Sequence, residues 1–335
     1  MTDLRYLTDH YDAKIQRVRD IGAPLNFLFM TDMHNRLNHG GTLRTGERLH
    51  RPYELAKDHI ASLQYVLDRC PSISFVVCGG DIGNDYDHDP AAIRRSHQAV
   101  MDAFYALSVP VHCCVGNHDD ALGNATDRGV RNAPYVLLPD EMHRLCMKYN
   151  PTPENYYFID LPDQPYRLIF LNSCDRPYEP DAEGEYPFGW RLEISNRQAQ
   201  WLEDEALRTG RKIIVFSHAP LRNEGIFGTE GQAANYIKPY DDTLNAPRVY
   251  HALQHCPRVI AMIHGHVHYD NLLYRDGMVT VTTLCSLVQE WAPSCPRRVF
   301  GTITETAFDV FSIKDGVLYV TRFGAGEDRI ATLLR

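Results

Sequence analysis

The sequence lacks an excess of positive charge, a long apolar run and any C-x-x-C pair, and each absence removes a class of function. Its 335 residues carry a formal net charge of −9. There is thus no overall basic field of the kind a general nucleic-acid binder sets against phosphates, although a local basic pocket is compatible with that balance. No stretch is apolar for long enough to span a bilayer. The first residues, Met1 to Asp20, mix Asp, Arg and Lys with isolated apolar side chains and have no apolar centre like that of a secretory signal. A soluble, cytoplasmic protein with no membrane partner is the expectation. The nine cysteines are scattered from Cys70 to Cys295. Several lie in apolar runs such as Phe75-Val76-Val77-Cys78, so they read as buried free thiols of a reducing compartment and none is assigned to chemistry. Internal repeats, low-complexity tracts and linkers are also missing, and one domain over 1–335 is expected.

What is present is enough apolar material, 44% of the residues, for a sizeable buried core. Short runs rich in branched residues predict strands at Leu25 to Met30, Ile73 to Cys78, Val109 to Val115, Leu168 to Leu171, Ile213 to Phe216 and Val259 to Ile263. Nearly all-apolar strands of this length suit a sheet buried on both faces. Between them, Leu55, Ile60, Leu63, Val66 and Leu67, then Ile93, Val100, Phe104 and Leu107, form helical stripes. A further helix is expected to start at Ser195, a good N-cap, with Trp201, Leu202 and Leu207 on its apolar side. Strand and helix alternate, which makes the class α/β. Near the end, Asp276-Gly277 and Asp315-Gly316 each separate two strand-like runs, a strong hairpin signal. Long polar stretches at 35–51, 173–189 and 221–240 interrupt the pattern; loops of that length are commonly functional or mobile.

Chemistry concentrates in five short motifs: Asp32-x-His34, Gly80-Asp81, Gly116-Asn117-His118-Asp119, His218, and Gly265-His266-Val267-His268. Most of them directly follow a predicted strand, and carboxyl ends of parallel strands share one edge, where ligands bind. Residues distant in sequence then converge. Asp and His suit divalent first-row metals, and Asn adds a neutral oxygen. Asp81 is the natural bridge between two ions, because Gly79 and Gly80 before it let the backbone turn tightly.

In this order and spacing the motifs resemble the calcineurin-like metallophosphoesterase superfamily, whose pattern is D-x-H, G-D, G-N-H-[DE], H and G-H-x-H. The match runs from Asp32 to His268 with every element present. The resemblance implies a four-layer α/β/β/α sandwich of two mixed β-sheets flanked by helices, with C-terminal hairpins at about 270–325 completing the second sheet. It implies Asp32, His34 and His268 on one divalent ion, Asn117, His218 and His266 on another, and Asp81 on both. His118 is left to face the substrate as general acid. Two ions roughly 3.5–4 Å apart acidify a shared water and clamp the attacking and leaving oxygens of an in-line displacement. The donor set suits Mn2+, Fe2+/Fe3+ or Zn2+. Asp119 or Asp120 is expected to orient His118, and Asn84, Asn35 and His39 are candidates for contact with substrate or ligands. Of the other histidines, His264 reads as structural, because a strand points neighbouring side chains to opposite faces.

Departures from branch patterns narrow the substrate. The Asp-Arg pair and the arginine before G-N-H that grip phosphate in the phosphoprotein phosphatases are replaced by Asn84-Asp85 and Val115. The tyrosine of purple acid phosphatases is replaced by Asn84. A small phosphodiester is the favoured substrate, since no evident cationic cluster awaits a dianionic monoester while a general acid is present. Arg36, Arg44, Arg48 and Arg222 lie in the long loops and keep a nucleotide or sugar monoester as an alternative. A nuclease would need a basic or aromatic groove. A non-catalytic metal-binding scaffold would usually have lost ligands, and this chain has lost none.

Overall fold

The branched and aromatic runs form the inner strands of two six-stranded mixed sheets in the computed structural model of the chain. The structure describes residues 5–35, 43–45, 48–50, 53–83, 85, 88–123, 129–186, 192–221, 245–287, 296–299 and 301–335. In chain order the named elements are α1 (Arg5–Ile21), β1 (Leu25–Met30), β2 (Leu43–Thr45), β3 (Arg48–His50), α2 (Tyr53–Arg69), β4 (Ile73–Cys78), α3 (Pro90–Tyr105), β5 (Val111–Cys113) and α4 (Pro139–Cys146). They continue as β6 (Tyr157–Asp160), β7 (Tyr166–Leu171), α5 (Asn196–Trp201), β8 (Lys212–Ser217), α6 (Ala246–His255), β9 (Val259–His264), β10 (Asn271–Arg275), β11 (Met278–Thr282), β12 (Ala307–Lys314), β13 (Val317–Gly324) and β14 (Arg329–Thr332). The first sheet runs β14-β13-β12-β1-β4-β5 and the second β10-β11-β9-β8-β7-β6; β2 and β3 form a separate ribbon.

Alternation along the strands sorts their side chains into two layers. Between the sheets, Phe27 stacks on Phe75 at 5.1 Å and on Phe311 at 5.2 Å, and it meets Phe216 edge-on at 5.6 Å. Phe216 stacks in turn on Phe170 at 5.0 Å, which stacks on Tyr157 at 4.6 Å. Rings from both sheets therefore share one core, and such pairs add stability beyond the area they bury. On the outer face of the first sheet, Tyr11 of α1 meets Phe308 at 5.6 Å and Phe323 at 5.5 Å. The outer face of the second packs Ile169, Val215 and Met262 against Leu202, Val249 and Leu253 of the α5 and α6 regions. Ser195 caps α5 by accepting from the Gln198 N–H at 3.1 Å, and the helix then widens into a π turn over Leu202–Ala206. No described helix is long and apolar enough to cross a membrane.

Both Asp-Gly hairpins form, with φ of 52° and 80° at Asp276 and Gly277 and of 50° and 76° at Asp315 and Gly316. These are the left-handed values a tight two-residue turn requires. Their placement corrects the expectation that both complete the second sheet. Only β10–β11 does so, with β11 running parallel to β9. The β12–β13 hairpin belongs to the first sheet, where β12 pairs antiparallel with β1 and sets Phe311 opposite Phe27. Matching inward faces decide that partner, because register fixes which side chains reach the core.

Candidate metal centre

The five motifs meet where the carboxyl ends of the two sheets face one another. Asp32 and His34 follow β1, Asp81 follows β4 and Asn117 and His118 follow β5 in the first sheet; His218 follows β8 and His266 and His268 follow β9 in the second. The turns there are unusually tight. Asp32, His34, Asp81, His266 and His268 all have positive φ, at 54°, 44°, 52°, 66° and 59°. Left-handed backbone is costly for residues with a Cβ and persists only where surroundings over-determine it. Here the Asp32 N–H donates to the Gly80 carbonyl at 2.9 Å, His34 to Asp81 at 3.0 Å, and Gly265 to His218 at 3.0 Å. Gly80, at φ 96°, allows the close approach: a Cβ there would lie 2.7 Å from His218 Nδ1 and 2.8 Å from the Gly116 nitrogen.

The donor atoms of the five motifs fall into two overlapping groups. Asp32, His34, Asp81 and His268 form one and Asp81, His218 and His266 the other, the ligand atoms of each lying within 4.8 Å of one another. In the first, His268 Nε2 is 3.0 Å from Asp32 Oδ1 and 3.2 Å from His34 Nε2, and His34 Nε2 is 3.7 Å from Asp81 Oδ2. In the second, His218 Nε2 is 3.2 Å from Asp81 Oδ2 and 3.2 Å from Asn117 Oδ1. The spans match what first-row ions need, with metal-to-nitrogen and metal-to-oxygen bonds of about 2.0–2.2 Å. Imidazole, carboxylate and amide oxygen are also the donor types such ions take. Asp81 belongs to both groups, so the residues present fit two adjacent ions with a shared carboxylate.

Burial makes the charges depend on one another. For Asp81, burial opposes ionisation, yet His218, His118 and His34 outweigh it and hold the carboxyl well below its usual range. Asp32 is likewise lowered, burial being overcome by His268 and His218. Burial also opposes a charge on His218, but the Asp81 carboxylate lifts the group to about 10. His266 moves the other way, to about 3, by burial and the neighbouring His218. His218 Nδ1 donates to the Gly79 carbonyl at 2.8 Å, which turns Nε2 toward Asp81 and Asn117.

His118 sits beside these two groups. Its N–H donates to Asp81 Oδ1 at 2.9 Å, its ring meets that of His34 edge-on at 5.0 Å, and its Nδ1 is 3.1 Å from Asp85 Oδ1. The expectation that Asp119 or Asp120 orients His118 is therefore corrected. Asp119 instead accepts the backbone N–H groups of Asp81 at 3.0 Å, Ile82 at 2.8 Å and Gly116 at 2.7 Å, knitting the loops after β4 and β5 together. Asp120 takes Arg176 and the Tyr178 hydroxyl. Asn35 turns onto α3, where its Nδ2 donates to the Ser96 carbonyl at 3.1 Å. His264 is buried in β9 with Nδ1 3.3 Å from the Ser217 carbonyl, a structural role. His39, Asn84, Arg36 and Arg222 lie outside the described residues.

Asp85 is not legible as a site residue in the sequence, although it follows Asp81 by only four positions, because its contact with His118 belongs to the fold. The same holds for Thr31, whose hydroxyl donates to Asp32 Oδ2 at 2.6 Å, and Cys285, whose thiol donates to the Asp32 carbonyl at 2.7 Å.

Residues 25–270 match the family model described as calcineurin-like phosphoesterase. Among solved structures, the chain is similar to a dimetal phosphatase from Danio rerio, with a TM-score of 0.61 and 16% identity, covering 93% of this chain and 99% of that one. It is similar to the purple acid phosphatase PPD1 of yellow lupin (Lupinus luteus), with a TM-score of 0.52 and 14% identity over 92% of this chain and 53% of the other. A third is GAP50, the anchor in the inner membrane complex of Plasmodium, with a TM-score of 0.51 and 14% identity over 93% and 89%. At such identities the likeness is one of fold. No curated protein sequence matches the chain.

Proposed function

Since the chain belongs to the calcineurin-like phosphoesterase family, whose members are dinuclear metal-dependent phosphoesterases, we propose that it hydrolyses a small phosphodiester with His118 as general acid. Asp32, His34, Asp81 and His268 would hold one ion, and Asp81, Asn117, His218 and His266 the other. When bound, two such ions supply Lewis acidity, an activated water and charge neutralisation at the phosphoryl group.

The observation that carries this reading is the His118–Asp85 pair at 3.1 Å, one hydrogen bond away from the shared Asp81. With Nδ1–H directed to the Asp85 carboxylate, Nε2 is the nitrogen that carries a proton for the leaving oxygen. As the P–O bond to the leaving group breaks, that proton passes from Nε2 to the departing oxygen, which leaves as an alcohol. Asp85 keeps the ring oriented and stabilises its charged form. Such assistance matters most for a poor leaving group such as an alkoxide. The diester preference is supported by the commitment of two buried arginines to protein groups, Arg176 to Asp120 and Arg298 to the carbonyls of Cys285 and Ser286. A diester brings one negative charge to the centre and a monoester up to two.

A monoester is the second reading, favoured by the fold neighbours that are named phosphatases. Hydrolysis of bis-p-nitrophenyl phosphate against p-nitrophenyl phosphate, by manganese-loaded protein with Asp81→Asn as control, separates the two. Faster diester cleavage, lost in the control, is the expected result. Faster monoester cleavage would replace the diester reading, and turnover of neither would move the chain toward a selective enzyme or a scaffold.

A further inference from the structure

Cys285 belongs to none of the five motifs, yet its Sγ lies with one imidazole nitrogen each of His34 and His268 in a third group, which does not include the carboxylates of Asp32 and Asp81 and whose ligand atoms are all within 4.8 Å of one another. We propose that Cys285 is a thiolate ligand of the ion held by Asp32, His34, Asp81 and His268, giving that position a soft donor its neighbour lacks. This rests on the metal reading above and deepens it.

Three features separate Cys285 from the other buried cysteines. Distance comes first: bonds of about 2.3 Å to sulfur and about 2.0–2.1 Å to imidazole nitrogen let donors up to about 4.4 Å apart share one ion. A spread of at most 4.8 Å lies just above that limit, and closing it moves the thiol off its present acceptor, the Asp32 carbonyl at 2.7 Å. The second is how firmly the segment is placed. The Leu284 N–H donates to Asp270 Oδ1 at 3.2 Å, two residues beyond His268, and the Ser286 N–H donates to the Thr31 carbonyl at 3.0 Å, one residue before Asp32. Arg298 donates to the carbonyls of Cys285 and Ser286. Cys285 is thus pinned between the two loops that carry His34 and His268. The third is chemical company. Cys113 neighbours Cys78, Cys146 and Cys114 in an apolar layer, where a thiol serves as a small buried hydrophobe. Cys285 instead has the imidazoles of His34 and His268 near its Sγ and donates its thiol proton to the Asp32 carbonyl at 2.7 Å.

On binding, the S–H bond breaks, its proton leaves to water and the Sγ–metal bond forms, one proton per site. No oxidant is needed. A thiolate shifts preference from manganese and magnesium toward zinc, cobalt and iron, because soft donors favour those ions. The two positions of the centre would then differ in metal, the first taking the softer ion.

The test loads the whole protein with cobalt(II) and records the near-ultraviolet spectrum alongside metal content, for wild type and for the near-isosteric Cys285→Ser. The expected result is a thiolate-to-cobalt charge-transfer band in wild type that Cys285→Ser lacks while still binding cobalt. The variant should also shift its zinc-to-manganese preference toward manganese by about tenfold, the lower end of the usual effect of altering a site's immediate surroundings. Cobalt-loaded wild type without the band, or a band that survives in Cys285→Ser, overturns the thiolate ligand and leaves the metal reading standing. Failure of wild type to bind cobalt overturns both. Should Cys285→Ser fold poorly, X-ray absorption at the cobalt edge of wild type decides, a sulfur scatterer in the coordination shell supporting the inference and its absence refuting it.

Discussion

Asp81 is where the two donor groups overlap, and its backbone is forced to φ 52° to bring the carboxylate there. Replacing one oxygen by an amide in Asp81→Asn removes the charge shared by both groups. Metal content measured by mass spectrometry is expected to fall with nearly all activity; a metal-replete, fully active variant would remove the bridging role. His118→Gln tests a different function. It should keep metal content and lower turnover by about 100-fold or more, the usual size for a general acid. Loss of metal in step with turnover would make His118 a ligand instead. Asp85→Asn should also keep metal and should cost less than His118→Gln, since it removes only the partner of Nδ1. The motif residues were legible because their types and order are rare in combination. Asp85, Thr31 and Cys285 were not, because their meaning lies in contacts: Cys285 reaches the Asp32 carbonyl across 253 positions of sequence.

Elements were legible where periodicity was clean and less so where partners decide. The strands at β1, β4, β7, β8 and β9 coincide with apolar runs that burial on both faces requires, and α2, α3 and α5 with their stripes. α1 buries a stripe of Tyr11, Ile15 and Val18, which is faint in sequence because charged residues surround each of the three. The β12–β13 hairpin was visible at Asp315-Gly316, but its sheet was not, because pairing with β1 depends on Phe311 meeting Phe27. One strand residue makes a pH prediction. His112 of β5 packs against Phe75 and Phe170, and burial lowers it to about 4 from an ordinary 6.5. The unfolded chain therefore binds the proton more readily between those values. The stability that follows from keeping His112 neutral is complete above pH 6.5 and is lost as pH falls toward 4, by about 3 kcal/mol in all. His112→Phe should reduce the slope of this part of the profile in urea titrations at pH 7, 5.5 and 4.5, the remainder coming from His264 and His266, which burial also lowers. An unchanged slope would show that His112 is not the group responsible.

At the scale of the whole molecule, the two sheets are joined by rings at one place and by buried charge at another. Arg322 points between the sheets from β13 and is wholly buried. It donates to Asp309 Oδ1 at 2.8 Å and Oδ2 at 2.9 Å within its own sheet, and to Asp270 Oδ2 at 2.8 Å and Oδ1 at 2.6 Å beside the second. It also donates to the Thr283 hydroxyl at 2.9 Å. The Arg322-Phe323-Gly324-Ala325-Gly326 stretch reads in sequence as a closing turn or a phosphate contact. A charge inside a strand is legible only once its partners, here 13 and 52 positions away, are known. Replacing a whole buried ion pair by apolar residues can be neutral, whereas removing one partner strands the other and costs about 3–5 kcal/mol. Arg322→Met is therefore expected to lose about that much in urea unfolding at pH 7, because Arg329 alone is left to Asp309 and Asp270. Acid tests the same arrangement from the carboxylate side. Burial opposes a charge on Asp309, but Arg322 and Arg329 outweigh it and bring the group to about 2 from 3.8. Its stabilisation is then full above pH 3.8 and is lost as pH falls toward 2. The difference between wild type and Arg322→Met should narrow through that window, as protonation of Asp309 in wild type removes what the mutation removed already. Asp270 ties this network to the loop of His268 and to Leu284, so the variant should also bind manganese less tightly at neutral pH. Metal affinity unchanged beside a large loss of stability would mean that the charges join the sheets without holding the centre.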